Sequence, residues 1–446
     1  MKKKIGMILF LTIIVIVLKV NKDKNFNEIR DKGNYEIVKE FSKKTDRTSQ
    51  AVKNKIIIKE GEKFGIIDIK GNKIKETIYD YILRLDKDIY FLQQDKEKVL
   101  YNVYLGKEIK VDEVSILDEN MYKVMYNNKY GIVDKNLDTI FEIENNFIDG
   151  NNENILIFND NTISLYDKSF NRIDIQEKYE KIKLGVGGYL YAQKNGLWGI
   201  INKEGKQQTE FKYLNFLDLN DEDMVIGYTK DKNFLINLKN QKPLEVEVNY
   251  ENYGVESAER IMVLKNEKIG YIDVLGNEII EPIYDGGFMF KEDKDFVQVK
   301  KNGVWELIDL NGKKYKEVQV DDIGEYQEGY MLVEKYGKYG YMDKKGDIKI
   351  PIEYDYAENF SNGLAIVAGD YGYGIIDKNN NIILPLEYDE IEINEDYVYV
   401  VKDNKYGLFS VNGEKILDLE FDYLNKIDND VVFFRKNDKS GFLKLN

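Results

Sequence analysis

From Lys55 onward the apolar positions fall in short runs separated by Gly, Asn, Asp and Lys, the pattern of strands joined by tight turns. The segment 329–355 shows one unit. Tyr330-Met331-Leu332-Val333-Glu334 predicts a strand, Tyr336-Gly337-Lys338 a turn, and Tyr339 to Asp343 a second strand. Asp343-Lys344-Lys345-Gly346 then places Asp first and Gly fourth, as in a type I turn followed by a left-handed residue. The same turn recurs as Asp68 to Gly71, Asp273 to Gly276, Asp309 to Gly312 and Asp377 to Asn380. Ile348 to Ile352 predicts a third strand, and Glu353 to Ser361 crosses to the next unit. Pro282, Pro351 and Pro385 stand at the end of that third strand. Proline has no N–H to give, so this position belongs at a sheet edge or where pairing stops.

The unit is repeated along the chain. Lys338-Tyr339-Gly340-Tyr341-Met342-Asp343 and Tyr373-Gly374-Ile375-Ile376-Asp377 are two copies 34 residues apart. Aligned on this Gly, the copies fall at Gly65, Gly131, Gly199, Gly270, Gly340, Gly374, Gly407 and Gly441. Degenerate copies with Leu100, Ser164, Phe234 and Glu306 in the Gly position fill the wider gaps and bring the total to twelve. The expected fold is therefore all-β, a tandem array of about twelve hairpin-plus-strand units forming an elongated or superhelical structure. A β-propeller is the alternative, placed second because four-stranded blades typically need about 40 residues.

The chain before Lys55 is different. Lys2-Lys3-Lys4 precede an apolar run from Ile5 to Leu18, broken only by Gly6 and Thr12. The run is short for a spanning helix of about 20 residues and fits a secretory signal; no small-residue cleavage site follows, which favours an uncleaved signal-anchor over a secreted, cleaved form. The expected organisation is 1–20 signal peptide or signal-anchor, 21–54 charged linker with a short helix around Tyr35 to Phe41, and 55–446 repeat domain. By the positive-inside rule the three lysines stay in the cytoplasm and the remainder is exported.

Composition narrows the chemistry. With 0 Cys and 0 His the chain holds no disulfide, no thiolate or imidazole zinc site, and no triad built on a histidine base. A glycosidase using two carboxylates is still open. The net charge of −15 repels phosphate backbones, so no nucleic acid partner is expected, while basic proteins, cations and uncharged glycans fit. The recurring Asp68, Asp134, Asp273, Asp309, Asp343 and Asp377 could be imagined as cation ligands, but their place at the head of a tight turn accounts for them. Asp355 and Asp389 are expected to cap the crossing loop. The clusters Asp221-Glu222-Asp223 and Asp428-Asn429-Asp430 lack the spacing of a calcium loop. No metal or cofactor is expected. The edge near Gly441 to Asn446 is left for a second chain unless Lys439 and Lys444 protect it.

Asn195-Gly196-Leu197-Trp198-Gly199-Ile200-Ile201-Asn202 and its tyrosine versions at Tyr339-Gly340 and Tyr373-Gly374 resemble the WG (KWG) repeat of bacterial proteins. Pro351 to Asp355, Pro385 to Asp389 and Phe360-Ser361-Asn362-Gly363-Leu364-Ala365-Ile366-Val367 extend the likeness, which is strongest over 260–415. The resemblance implies an all-β array and transfers no catalytic residue. Its aromatic-Gly positions, Phe64, Gly65, Tyr130, Gly131, Trp198, Gly199, Gly270, Trp305, Tyr339, Gly340, Tyr373, Gly374, Tyr406 and Gly407, are expected to build a shared core. The functional expectation is a non-enzymatic, exported, membrane-anchored scaffold that binds an envelope or extracellular protein. A carbohydrate- or peptidoglycan-binding module is the alternative, and a carboxylate glycosidase stands behind both.

Overall fold

The computed structural model describes residues 35–41 and 55–445, with short interruptions at 69, 152, 161, 176, 221–222, 240–242, 258–259, 292–294, 395, 429 and 438. Among the described residues the strands form twelve small antiparallel sheets, ten of four strands and two of three. Sheets follow one another along the chain as blades 1 to 12. They begin at Lys55, Tyr81, Glu113, Phe147, Lys181, Asn215, Asn252, Gly286, Asp322, Tyr356, Glu390 and Tyr423.

The sequence expectation of an elongated array fails here, and the alternative holds. An open row of twelve blades has eleven junctions, but the buried apolar residues form twelve clusters, one at each junction of a closed ring. Tyr90, Leu92 and Ile82 of blade 2 pack on Ile57 and Ile66 of blade 1. The same arrangement continues to Leu424, Val432 and Phe434 of blade 12 against Leu408 and Leu417 of blade 11. The twelfth cluster joins the ends: Ile56, Ile58 and Ile67 of blade 1 meet Ile427, Val431, Phe433 and Phe442 of blade 12. Fully burying one such side chain stabilises by roughly 1.5–3 kcal/mol, so these seams hold neighbours that share no hydrogen-bond ladder.

A second device closes the ring. Tyr35–Phe41, expected as a short helix in a linker, is a strand. It pairs antiparallel with Lys439–Leu445, with Tyr35 opposite Leu445 and Glu40 opposite Gly441. The N-terminal segment thus supplies the fourth strand of the last blade, and the edge expected to be open near Gly441 is covered from Ser440 to Leu445.

The short period misled because the blades spend almost nothing on loops. Strands two and three of a blade are joined by two-residue turns in left-handed conformation, such as Asn127 (φ 52°) and Asn128 (φ 59°). At several crossings a single residue joins one blade to the next: Asp80, Asp285, Asp355, Asp389 and Asp422 each stand between two strands. The segment Glu353 to Ser361, expected as a crossing, already contains Tyr356–Ala357, the first strand of blade 10.

Among the described residues no helix is long and apolar enough to cross a membrane. The apolar run Ile5 to Leu18 lies outside them, as do Asp221, Glu222 and Asn429 of the two acidic clusters.

Candidate binding surface

The aromatic-Gly pair has a precise mechanical role that emerges from the register of strands three and four. In blade 9, Tyr339 pairs with Tyr354 and Tyr341 pairs with Ile350. Two steps on the third strand therefore face four on the fourth, and the surplus bulges over Gly340. A β-carbon there would lie 2.7 Å from the carbonyl oxygens of Ile350 and Pro351. Gly270 and Gly374 meet their own bulges at 2.6 and 2.7 Å, and Gly131 meets the Phe141 carbonyl at 2.7 Å. Gly65 and Gly407 face the same two-against-four register. In blade 5 the fourth segment is looser, and the ring of Phe211 covers Gly199. Pro351 and Pro385 fall in the unpaired bulge, so their missing N–H is not needed.

The aromatic slot does not form one shared core. All but Tyr373 face the seam to the following blade. Trp198 and Trp305 are buried there. Phe64, Tyr130, Tyr339 and Tyr406 pack at the margins of their seams. Tyr373 lies edge-on to Tyr356 at 5.7 Å. The indole N–H of Trp305 is buried without a partner, so that residue serves by packing.

The recurrent carboxylates are occupied by the backbone. Asp343 Oδ1 accepts the N–H groups of Lys345 and Asp347 at 2.9 and 3.0 Å. Asp68, Asp134, Asp273, Asp309 and Asp377 accept the equivalent pair in their own turns. Asp167 makes the same turn in blade 4, and the amide and backbone N–H of Asn171 hold its carboxyl below the usual range. Among the described residues no three or more acidic side chains gather to hold a metal ion.

Asp355 and Asp389 do more than cap their own loop. Lys338 donates to Asp355 Oδ1 at 2.5 Å, and Asp389 Oδ2 accepts the N–H of Asp403 at 2.7 Å in the turn of the next blade. The full device shows at Asp80, which accepts Lys63 of blade 1 at 2.5 Å and the N–H of Asp95 of blade 2 at 2.6 Å. Asp422 bridges Lys405 and the Asn437 N–H in the same way. These contacts hold the Asp80 and Asp422 carboxyls below the usual range, with the lysine as the largest cause. Sequence reading missed this belt. Its signal was a lysine two residues ahead of the repeat's glycine and an Asp 17 residues after that lysine, as in Lys63 and Asp80, Lys268 and Asp285, Lys338 and Asp355, and Lys405 and Asp422. Glu328 adds a separate staple, accepting the N–H groups of Asn362 and Gly363 at 2.7 and 2.9 Å from blade 10.

With the polar repeats committed in this way, the exposed aromatics stand out. Tyr336 and Tyr371 are 85% and 87% exposed, at the tips of adjacent blades 9 and 10. Tyr104 is 79% exposed at the turn between strands three and four of blade 2.

Fold and surface together define a tandem-repeat β-protein, a ring of twelve blades whose recurring side chains hold the ring. Residues 269–305, 339–368, 373–406 and 406–439 match the WG-containing repeat, which places four such repeats in the C-terminal region. Blades 1 to 6 lie outside the match. No protein of curated function matches by sequence. Similar solved structures include the extracellular domain of a one-component system from B. thetaiotaomicron (10% identity, 92% of this chain and 83% of that one, TM-score 0.23). Hsv2p of Kluyveromyces lactis is similar at 12% identity over 56% of this chain and 92% of its own, with a TM-score of 0.26. A eukaryotic initiation factor is similar at 12% identity over 74% and 98%, with a TM-score of 0.31. At such TM-scores the likeness carries no statement about activity or partners.

Proposed function

We propose that the protein is a non-catalytic scaffold that binds a protein partner on the outer side of the cytoplasmic membrane, held there by its N-terminal apolar segment. The observation that supports this reading is the division of labour on the ring. Recurring carboxylates and lysines bind the ring's own turns and crossings, while tyrosines such as Tyr336 and Tyr371 stand in solvent at blade tips. Large aromatic side chains on a rigid frame are the residues that anchor protein interfaces. Lys2-Lys3-Lys4 and the run to Leu18 supply the anchor and its orientation.

Fractionation of the producing cell tests location: the protein is expected with the membrane and accessible to added protease from outside, and recovery in the cytosol contradicts export. Cross-linking on intact cells tests function. One envelope protein recovered in near-equal amount supports the scaffold. Recovery of wall glycan instead would favour the carbohydrate-binding reading, which the same exposed tyrosines could serve.

A further inference from the structure

The rim that carries the tips of blades 9 and 10 has a chemistry of its own, and resting on the scaffold reading we infer that it binds a cationic, arginine- or lysine-rich extended segment of the partner protein. Four tyrosines of these two blades bear on it. Tyr336 and Tyr371 project from the two tips. Tyr356, 38% exposed, lies edge-on to Tyr373 in blade 10.

Tyr336 is an unusual choice for its place. Its φ is +54°, a region that favours Asn, Asp or Gly, and the same turn carries Asn127 in blade 3, Asn195 in blade 5, Asn302 in blade 8 and Asp403 in blade 11. An aromatic ring there gains nothing from burial, since most of it is in water. Neither folding nor turn geometry explains it, whereas a partner laid across the tips does.

Charge decides which partner. On the crossings and tips of this rim the exposed carboxylates are Asp321, Asp322, Asp355, Asp370, Asp389 and Glu390. Lys300, Lys335 and Lys338 stand among them; Lys338 is bound to Asp355 and Lys300 donates to the Asp321 carbonyl at 3.4 Å, so the carboxylates remain in excess. Accepting the N–H of Tyr336, as Asp321 does at 2.7 Å, fixes a carboxylate without cancelling its charge. Such a surface repels acidic segments and attracts basic ones. The tyrosines then add their faces to arginine or lysine, a contact the molecule already makes where Lys335 Nζ sits 5.5 Å from the Tyr336 ring centre. An extended segment suits the site because one tip is offered per blade along the rim.

The test uses the full chain in detergent and fluorescent peptides of equal length, one of alternating Arg and Gly and one of alternating Glu and Gly. The Arg peptide is expected to bind and the Glu peptide to fail. The double variant Tyr336→Ser with Tyr371→Ser should weaken Arg-peptide binding about tenfold, as loss of aromatic anchors does at interfaces. Tyr104→Ser, at a different turn of the ring, should leave it unchanged. Circular dichroism of the variants confirms that the ring is intact. Equal binding by the double variant would reduce the effect to diffuse charge and overturn the proposal, as would no binding or tyrosine-dependent retention of wall glycan in place of the Arg peptide. The scaffold reading is tested separately: if intact-cell cross-linking of the unaltered chain captures no envelope protein the scaffold fails, whereas capture that persists when both tyrosines are replaced leaves the scaffold standing and makes this surface wrong.

Discussion

Blade 9 and blade 2 are built from the same four-strand plan and differ at one position of the third strand. Where blade 9 has Gly340, the fourth strand runs two residues long, bulges over the glycine and then returns with Tyr354 buried in the seam. Where blade 2 has Leu100, the fourth strand pairs one to one, with Leu100 opposite Ile109 and Tyr101 opposite Glu108. Phe234 in blade 6 and Glu306 in blade 8 pair in the same regular way, opposite Glu247 and Glu317. The lysine-to-Asp bridge follows the glycine: Lys63, Lys268, Lys338 and Lys405 all precede it in blades of the first kind. Lysine, aromatic, glycine and the later Tyr-Asp are thus one mechanical unit. The lysine holds the crossing, the aromatic fills the seam, and the glycine yields space to the bulge.

The comparison can be broken at its two ends. Leu100 is fully buried in the seam between blades 2 and 3, so Leu100→Ala should cost about 2–5 kcal/mol by leaving a cavity. Gly340→Ala drives a β-carbon into backbone oxygens and should cost about 1–3 kcal/mol through overpacking, although alanine suits a strand better than glycine. Urea denaturation of the variants checks both. If Gly340→Ala were neutral, the bulge would not depend on the glycine. Pro351→Ala should lose only about 0.4–1 kcal/mol, through the unfolded chain, because no ladder bond is waiting for the new N–H.

The smallest effect belongs to the Asp80 bridge. Its carboxyl is held below the usual value, so its contribution is complete above the ordinary Asp pKa of about 3.9 and is lost as the pH falls through the lowered value. Asp80→Asn should therefore lower the melting temperature slightly at neutral pH and make it less sensitive to acid below about pH 4. A melting curve that shifts equally at all pH values would contradict this.

Much of the ring was legible in the sequence and some was not, for physical reasons. Repeat length, strand order within a unit and the Asp-headed turns follow from local residue choice, and local choice is what a sequence displays. Proline in the third predicted strand marked a sheet edge, but pairing is only interrupted there: it breaks at a bulge and resumes at Tyr354 and Tyr388. Closure was hidden because Tyr35–Phe41 lies in a stretch rich in Lys, Asn, Asp and Glu, and its partner Lys439–Leu445 stands at the far end of the chain. Nothing local signals such a pairing. The first strands of blades 2, 8, 10, 11 and 12 escaped because a single residue separates each from the blade before it. Exposure was equally hidden: Tyr336 and Tyr339 are three residues apart, yet one stands in solvent and the other packs at a seam.

The central claim is that the chain closes on itself through its N-terminal strand, and the absence of native cysteine allows a direct test. Glu36 and Lys444 are register partners across the closing pair, so Glu36→Cys with Lys444→Cys should form a disulfide on mild oxidation. The account predicts an intramolecular cross-link, seen as a faster-migrating monomer on a non-reducing gel that returns to its original position with reductant. Failure of the monomer to shift, or formation of dimers alone, would contradict a closed ring.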